Sequence, residues 1–319
     1  MTFHAQGVIP ACLLPFDTQT RIDESSFRNH LRDLAGVDGV TAVTVNGHAS
    51  EVHALDPGEQ QQALEIAVDA LSEKLPVIAG VFASDGRRGA EIAGMAAGCG
   101  AAALLVFPPD PFALGAQRRP EMALDYWERI ASATELPLIV FQYPMAGGLG
   151  YPLDTLVRLC ERIPRIVAIK DWCHDPPLHE RQIRTLHGLT RRVNVLSTHS
   201  TWLLGSLVMG CDGILSGAGS VVADLQVALW AALRTGDLGR ARRVNDRLFP
   251  TVQAFYRDPW VDMHNRMKEA LVLLGRLPRA VVRSPLVALS ADEVATIRHH
   301  LDAAGLTPDN VYRLGPTID

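Results

Sequence analysis

Lys170 closes the apolar run Ile166-Val167-Ala168-Ile169 and is one of only three lysines, with Lys74 and Lys268, in a chain that carries nearly all its positive charge as arginine. The distinction is chemical. A lysine ammonium loses its proton readily on desolvation, and the neutral amine can attack a carbonyl and form an imine; a guanidinium stays charged. The competing reading is a lysine whose stem lies on apolar surface while its head pairs with the adjacent Asp171. Other residues able to do chemistry follow other apolar runs: Asn46-Gly47-His48-Ala49-Ser50-Glu51, Phe107-Pro108-Pro109, Phe141-Gln142-Tyr143-Pro144, Thr198-His199 and Ser216-Gly217-Ala218-Gly219. Glycine followed by small residues lets successive N–H groups converge on an anion, so Gly47 to Ser50 can hold a carboxylate while its neighbouring carbonyl meets Lys170. His48 in that loop titrates near neutrality and can act as acid or base.

These residues need a scaffold that brings six chain segments to one place. Eight short apolar segments recur at even intervals: Val8 to Leu14, Gly39 to Val45, Pro76 to Gly80, Ala101 to Phe107, Leu138 to Phe141, Ile166 to Lys170, Asn194 to Ser197 and Gly213 to Ser216. Amphipathic stretches alternate with them, among them Ser25 to Ala35, Pro57 to Glu73, Gly86 to Gly98, Pro120 to Thr134 and Leu153 to Arg162. Such alternation predicts parallel strands with crossover helices, and eight units fit a (β/α)8 TIM barrel over residues 1–235. No GxGxxG follows the first strand, which argues against a doubly wound dinucleotide fold. Three further helical patterns, Gly236 to Tyr256, Val261 to Gly275 and Ser290 to Ala304, predict a C-terminal helical extension over 236–319, packed on the barrel. In such a barrel the ends of the strands carry the catalytic groups, which puts Lys170 in the mouth.

The bulk properties narrow the function. A formal charge of -5 and a pI near 6.1 give no general attraction to nucleic acid or to an anionic membrane, and no apolar run approaches the length of a membrane helix. Cys12, Cys99, Cys160, Cys173 and Cys211 are scattered without a CxxC pair, so neither a disulfide framework nor a zinc ribbon is expected, and a cytoplasmic location fits. The expected partner is a small molecule, without cofactor or metal.

The motifs resemble the dihydrodipicolinate synthase and N-acetylneuraminate lyase superfamily of Schiff-base lyases. Gly7-Val8-Ile9-Pro10-Ala11-Cys12-Leu13-Leu14-Pro15-Phe16-Asp17 is similar to the family's opening, Gly47 to Glu51 to its GxxGE loop, Val167-Ala168-Ile169-Lys170-Asp171 to the strand with the imine lysine, and Pro144 to the proline of its YxxPxxTG segment. The resemblance implies a 2-oxo acid substrate such as pyruvate, dimers or tetramers, and a site bordered by Gly47, Ala49, Ser50, Phe141, Leu215, Ser216 and Gly217. It also exposes departures. Phe141 stands where the family's proton-relaying tyrosine is expected, His48 and Ala49 replace two loop threonines, Ser50 replaces a glycine, and the strand-four region lacks a tyrosine. Tyr143, two residues beyond Phe141 on the same strand face, and His48 are the candidates to take over proton transfer. Glu51 is expected to fix the loop and not to touch substrate.

The expected reaction is making or breaking a carbon–carbon bond through a Lys170 imine, but not dihydrodipicolinate synthesis itself. Alternatives are a 2-oxo acid dehydratase or hydratase-aldolase using the same imine, a ligand-binding relative without turnover, and a metal-dependent lyase built on His48, His53, His174, His179 and His199. The glycine-rich turn from Ser216 to Ser220 also suits phosphate binding, and Arg118, Arg119 and His199 could meet a distal carboxylate.

Overall fold

The computed structural model describes residues 3–71 and 74–318. Strand and helix alternate through β1 Gly7–Pro10, α1 Glu24–Ala35, β2 Val43–Val45, α2 Pro57–Leu71, β3 Val77–Val81, α3 Gly86–Gly98, β4 Ala103–Val106 and α4 Pro120–Ser132. The second half continues with β5 Leu138–Gln142, α5 Leu153–Arg162, β6 Ile166–Asp171, α6 Pro176–His187, β7 Asn194–Ser197, α7 Leu203–Val208, β8 Gly213–Ser216 and α8 Gly219–Arg234. Helices α9 Leu238–Phe255, α10 Met263–Leu273 and α11 Ala291–Ala304 follow without strands between them.

All ladders between the eight strands are parallel, in the order β1-β8-β7-β6-β5-β4-β3-β2, and bridges from Val8 to Val40 and Ala11 to Thr44 bring the ends together into a nearly closed TIM barrel. The strands are buried along almost their whole length because the barrel interior lies on one side and the helices on the other. Helix starts are set locally: the side chains of Asp23, Asp85, Asp175, Asp237 and Ser290 accept a backbone N–H of the first turn of α1, α3, α6, α9 and α11, each worth about 1 kcal/mol.

Three strands are shorter than the sequence suggests, and one of them, β4, occupies only Ala103–Val106 of the expected Ala101 to Phe107. The apolar run through Leu14 stays buried but leaves the β1 ladder after Pro10, and Ser220 takes over there, its Oγ donating to Ala11 O and accepting from Leu13 N. At β2 the expected start, Gly39, has a φ of +97° and forms the turn into the barrel, so the ladder begins at Val43. The expected end of α2 at Glu73 lies outside the described residues, as does Ser72.

The extension does not stand apart. Helix α9 packs on α8 and α11, and α10 on α8, α9 and α11. Buried Arg266 of α10 donates to the carbonyls of Arg257 (2.6 Å), Asp258 (3.3 Å) and Pro259 (3.2 Å), tying down the segment between α9 and α10. That segment and the start of α10 lie over the barrel mouth. Among the described residues no helix is long and apolar enough to cross a membrane.

Candidate active site

Ladder register puts Phe141 of β5 directly beside Lys170 of β6, with Leu196 of β7 on the other side. Lys170 is 5% exposed, its Nζ lies 4.0 Å from the centre of the Phe141 ring, and no carboxylate or carbonyl of the described residues pairs with it. Burial lowers its pKa from 10.5 to about 7, so a large part of the amine is neutral at physiological pH. Strand alternation disposes of the competing reading: Asp171 turns to the opposite face and spends its charge elsewhere.

Asp171 is the hub of a buried polar network on the face opposite Lys170. Its Oδ1 accepts from Cys173 N at 2.9 Å and its Oδ2 from His179 Nδ1 at 2.6 Å, while His199 Nε2 lies 3.8 Å from Oδ1. His179 Nε2 in turn meets Ser206 Oγ at 2.9 Å and Cys211 Sγ at 3.2 Å. Burial alone would lower the His179 pKa, but its bonds to Asp171 and Cys211 carry it up to about 10, and the two histidines drive that of Asp171 far down against its own burial. Asp171, Cys173, His179 and His199 present four potential ligand atoms within 4.8 Å of one another. A metal there would have to break the 2.6 Å Asp171–His179 bond and displace the protons of His179 and of Cys173, whose pKa burial raises far up.

On the Lys170 face, Tyr143 Oη and His48 Nε2 are 2.7 Å apart, either partner donating according to the imidazole tautomer. The His48 ring also packs on Phe107 and Phe141, with centroids 5.0 and 5.6 Å away. Burial, Lys170 and His53 push the His48 pKa down to about 3, and burial with Asp110 and Tyr151 raises that of Tyr143 well above 10, so the pair is neutral across the working range.

The loop that carries His48 is held in an uncommon shape. Asn46 and Glu51 bracket it, both at φ 54°, a conformation that costs a non-glycine residue about 1–3 kcal/mol and persists where the surroundings enforce it. Asn46 Nδ2 donates to Gln60 O at 2.8 Å. Glu51 receives Lys268 Nζ at 2.5 Å on one oxygen and Arg283 N at 3.0 Å on the other, both from the extension. Close approach matters here too: a Cβ on Gly80 of β3 would sit 1.9 Å from Asn46 O.

A cleft of about 30 Å³ includes Lys170 in its lining, with His48, Ala49, Phe141, Trp172, Gly217 and His264 among the other residues and Tyr256 and Met263 contributed by the extension. Of the residues expected at the site, His48, Ala49, Phe141, Gly217 and Lys170 meet there, and Tyr143 joins through His48. Gly47 shapes the loop behind them by accepting Ser50 N at 3.1 Å. Ser50, Leu215 and Ser216 lie outside the cleft lining: Ser50 Oγ donates to Cys12 O, Ser216 Oγ is 2.9 Å from Ser200 Oγ, and Leu215 is wholly buried beside Ile9. Arg118 and Arg119 are exposed, Arg119 paired with Glu121, and His199 lies in the Asp171 network. His53 is exposed, while His174 meets Trp172 edge-on with centroids 5.3 Å apart. The turn after β8 is packed tight: Gly219 faces Gln226 and Pro10, and Gly217 faces His264 Nε2.

Trp172 and three extension residues were not foreseen. Trp172 sits two residues beyond Lys170 and so continues its strand face, a signal the period-two rule carries. Tyr256, Met263 and His264 lie about ninety residues downstream and no spacing points to them. Burial, His48 and Lys170 push the His264 pKa well below 6.5.

A model of the dihydrodipicolinate synthetase family matches residues 4–304. An uncharacterized DapA-like lyase of Halobacterium salinarum is 30% identical over 302 residues, 94% of each chain. A 4-hydroxy-tetrahydrodipicolinate synthase of Methanopyrus kandleri is 29% identical over 313 residues, 97% of this chain and 99% of that one. Among solved structures, an Escherichia coli prophage protein of the dihydrodipicolinic acid synthase family, in complex with pyruvate, aligns with a TM-score of 0.85 at 24% identity over 95% of this chain and 99% of that one.

Proposed function

Because the chain belongs to the dihydrodipicolinate synthetase family, we propose that it is a Schiff-base lyase or aldolase in which Lys170 condenses with pyruvate or a related 2-oxo acid. The observation that carries this reading is the Lys170 amine itself: buried, unpaired among the described residues, with its pKa brought to about 7, at the floor of a cleft. Its attack on the ketone forms the C–N bond and releases the ketone oxygen as water, leaving a cationic iminium. Loss of a proton from the carbon next to the imine gives an enamine, and that carbon then bonds to the carbonyl carbon of an acceptor, whose oxygen takes up a proton. Water hydrolyses the imine and restores the amine. Run backwards, the same steps cleave a carbon–carbon bond.

The roles of the neighbours follow from their chemistry. The His48–Ala49 turn holds the carboxylate of the 2-oxo acid next to the ketone. Tyr143 and His48 move protons along their 2.7 Å contact without placing a net charge in the cleft. Phe141 has no proton to give, and its ring walls Lys170 off from water, which favours the neutral amine. Replacing a tyrosine relay by a phenylalanine at that position supports a reaction other than dihydrodipicolinate synthesis. The test is borohydride reduction in the presence of pyruvate and other 2-oxo acids, read by intact mass: the reading expects a stable adduct that Lys170→Ala abolishes. No adduct with any 2-oxo acid would refute it.

A further inference from the structure

The acceptor side of the cleft is aromatic and uncharged. Of the residues that border it, none is arginine, aspartate or glutamate, and Lys170 is the single lysine. The two imidazoles present, His48 and His264, are held neutral, so among the described residues lining the cleft no second cation waits for a distal carboxylate or phosphate. The arginines that might have supplied one, Arg118 and Arg119, lie exposed outside the cleft. What extends outward from Lys170 instead is a ladder of rings. Trp172 lies 6.2 Å from Phe141 and 5.6 Å from Tyr143, centroid to centroid, and 5.9 Å from Trp260 with the planes only 31° apart. Trp172 and Trp260 are both half-buried and so keep ring surface open at the mouth. The buried Arg266 guanidinium fixes the 257–259 carbonyls immediately before Trp260, so its place in the ladder is built and not incidental.

We propose that the carbonyl partner joined to or released from the Lys170 enamine is an uncharged aromatic aldehyde, its ring stacked on Trp172. This rests on the imine reading above. Offset and edge-on rings at 4.5–7 Å are the favoured aromatic geometry, and a planar aryl group entering beside Trp172 reproduces it without asking for a charged partner. A carboxylate or phosphate in the same place would lose its hydration with no cation to compensate. The cleft, about 30 Å³, is smaller than any acceptor. Met263, half-buried on the extension, has the unbranched, flexible side chain that can yield to one. The bond made is the one already balanced above: enamine carbon to aldehyde carbon, with a proton taken up by the aldehyde oxygen.

The experiment compares kcat/KM for pyruvate with benzaldehyde and 2-naphthaldehyde against succinic semialdehyde and glyceraldehyde 3-phosphate, following the carbon–carbon product by mass, alongside borohydride trapping with pyruvate alone. The inference expects the aryl aldehydes to lead by at least tenfold. It also expects Trp172→Ala to cut the benzaldehyde value at least tenfold, with Trp172→Phe restoring most of it. Trapping with pyruvate but equal or better use of the charged aldehydes, or of no aryl aldehyde, would overturn the aromatic assignment and leave the imine reading standing. Absence of trapping would overturn both.

Discussion

Tyr143 Oη and His48 Nε2 lie 2.7 Å apart although 95 residues separate them, joining the end of β5 to the loop after β2. If this pair is the proton relay, Tyr143→Phe and His48→Ala each lower turnover by about 10²–10⁴. The double variant then falls little below the worse single one, because the two act as a unit. Steady-state kinetics decide it. Turnover that survives both changes would remove the pair from the mechanism.

Lys170 costs stability. Its pKa is about 7 in the fold against an ordinary 10.5, so between these values the unfolded chain binds a proton that the folded one does not, and stability rises with pH across that window. At about 1.4 kcal/mol per pH unit the penalty below pH 7 is on the order of 4–5 kcal/mol as an upper bound. Lys170→Met is therefore expected to unfold at higher urea concentration than wild type near neutral pH, with the advantage shrinking toward pH 10. An equal or lower midpoint would mean that the amine is not held out of water.

His179 works in the opposite direction over nearly the same range. With its pKa raised to about 10, its stabilisation is complete below about 6.5 and is lost as pH rises through 10. Its falling slope offsets the rising slope from Lys170, so the wild-type stability curve is flattened between about pH 7 and 10. His179→Gln destabilises the protein at neutral pH and uncovers a rise in stability with pH. A variant curve that still runs flat would contradict the assignment.

The Glu51–Lys268 bond, 2.5 Å long and almost wholly buried, ties the loop after β2 to α10. Burial lowers the Lys268 pKa and Glu51 opposes that effect, so the Lys268 charge depends on Glu51. Lys268→Met is expected to destabilise by about 3–5 kcal/mol, because the buried carboxylate loses its cationic partner and keeps only the Arg283 N–H. Adding Glu51→Gln should recover part of the loss, and KM for the 2-oxo acid should rise in the single variant as the loop relaxes. Denaturant unfolding of the four-member cycle measures the coupling; additive losses would sever the loop from the extension.

The barrel was legible because its strands are nearly continuous apolar runs between helix-period segments, and Lys170 because one amine stood out in an arginine-rich chain. The Asp171 network was not. A carboxylate next to a lysine in sequence invites pairing, and only strand alternation, applied strictly, sends it to the other face. The same alternation would have found Trp172. The overextended β1 had a different cause: Ala11 to Leu14 are as buried as the strand before them, and hydrophobicity reports burial, not ladder bonds. Tyr256, Met263 and His264 were out of reach of pattern reasoning, since only the packing of α10 over the mouth places them.

The most direct measurement of the central claim is peptide mapping of the borohydride-reduced pyruvate adduct across pH. The account predicts modification at Lys170 alone, with adduct formation rising through about pH 7 to a plateau as the amine loses its proton. Modification at Lys74, Lys268 or the amino terminus, or a rise delayed to the ordinary lysine range, would contradict it.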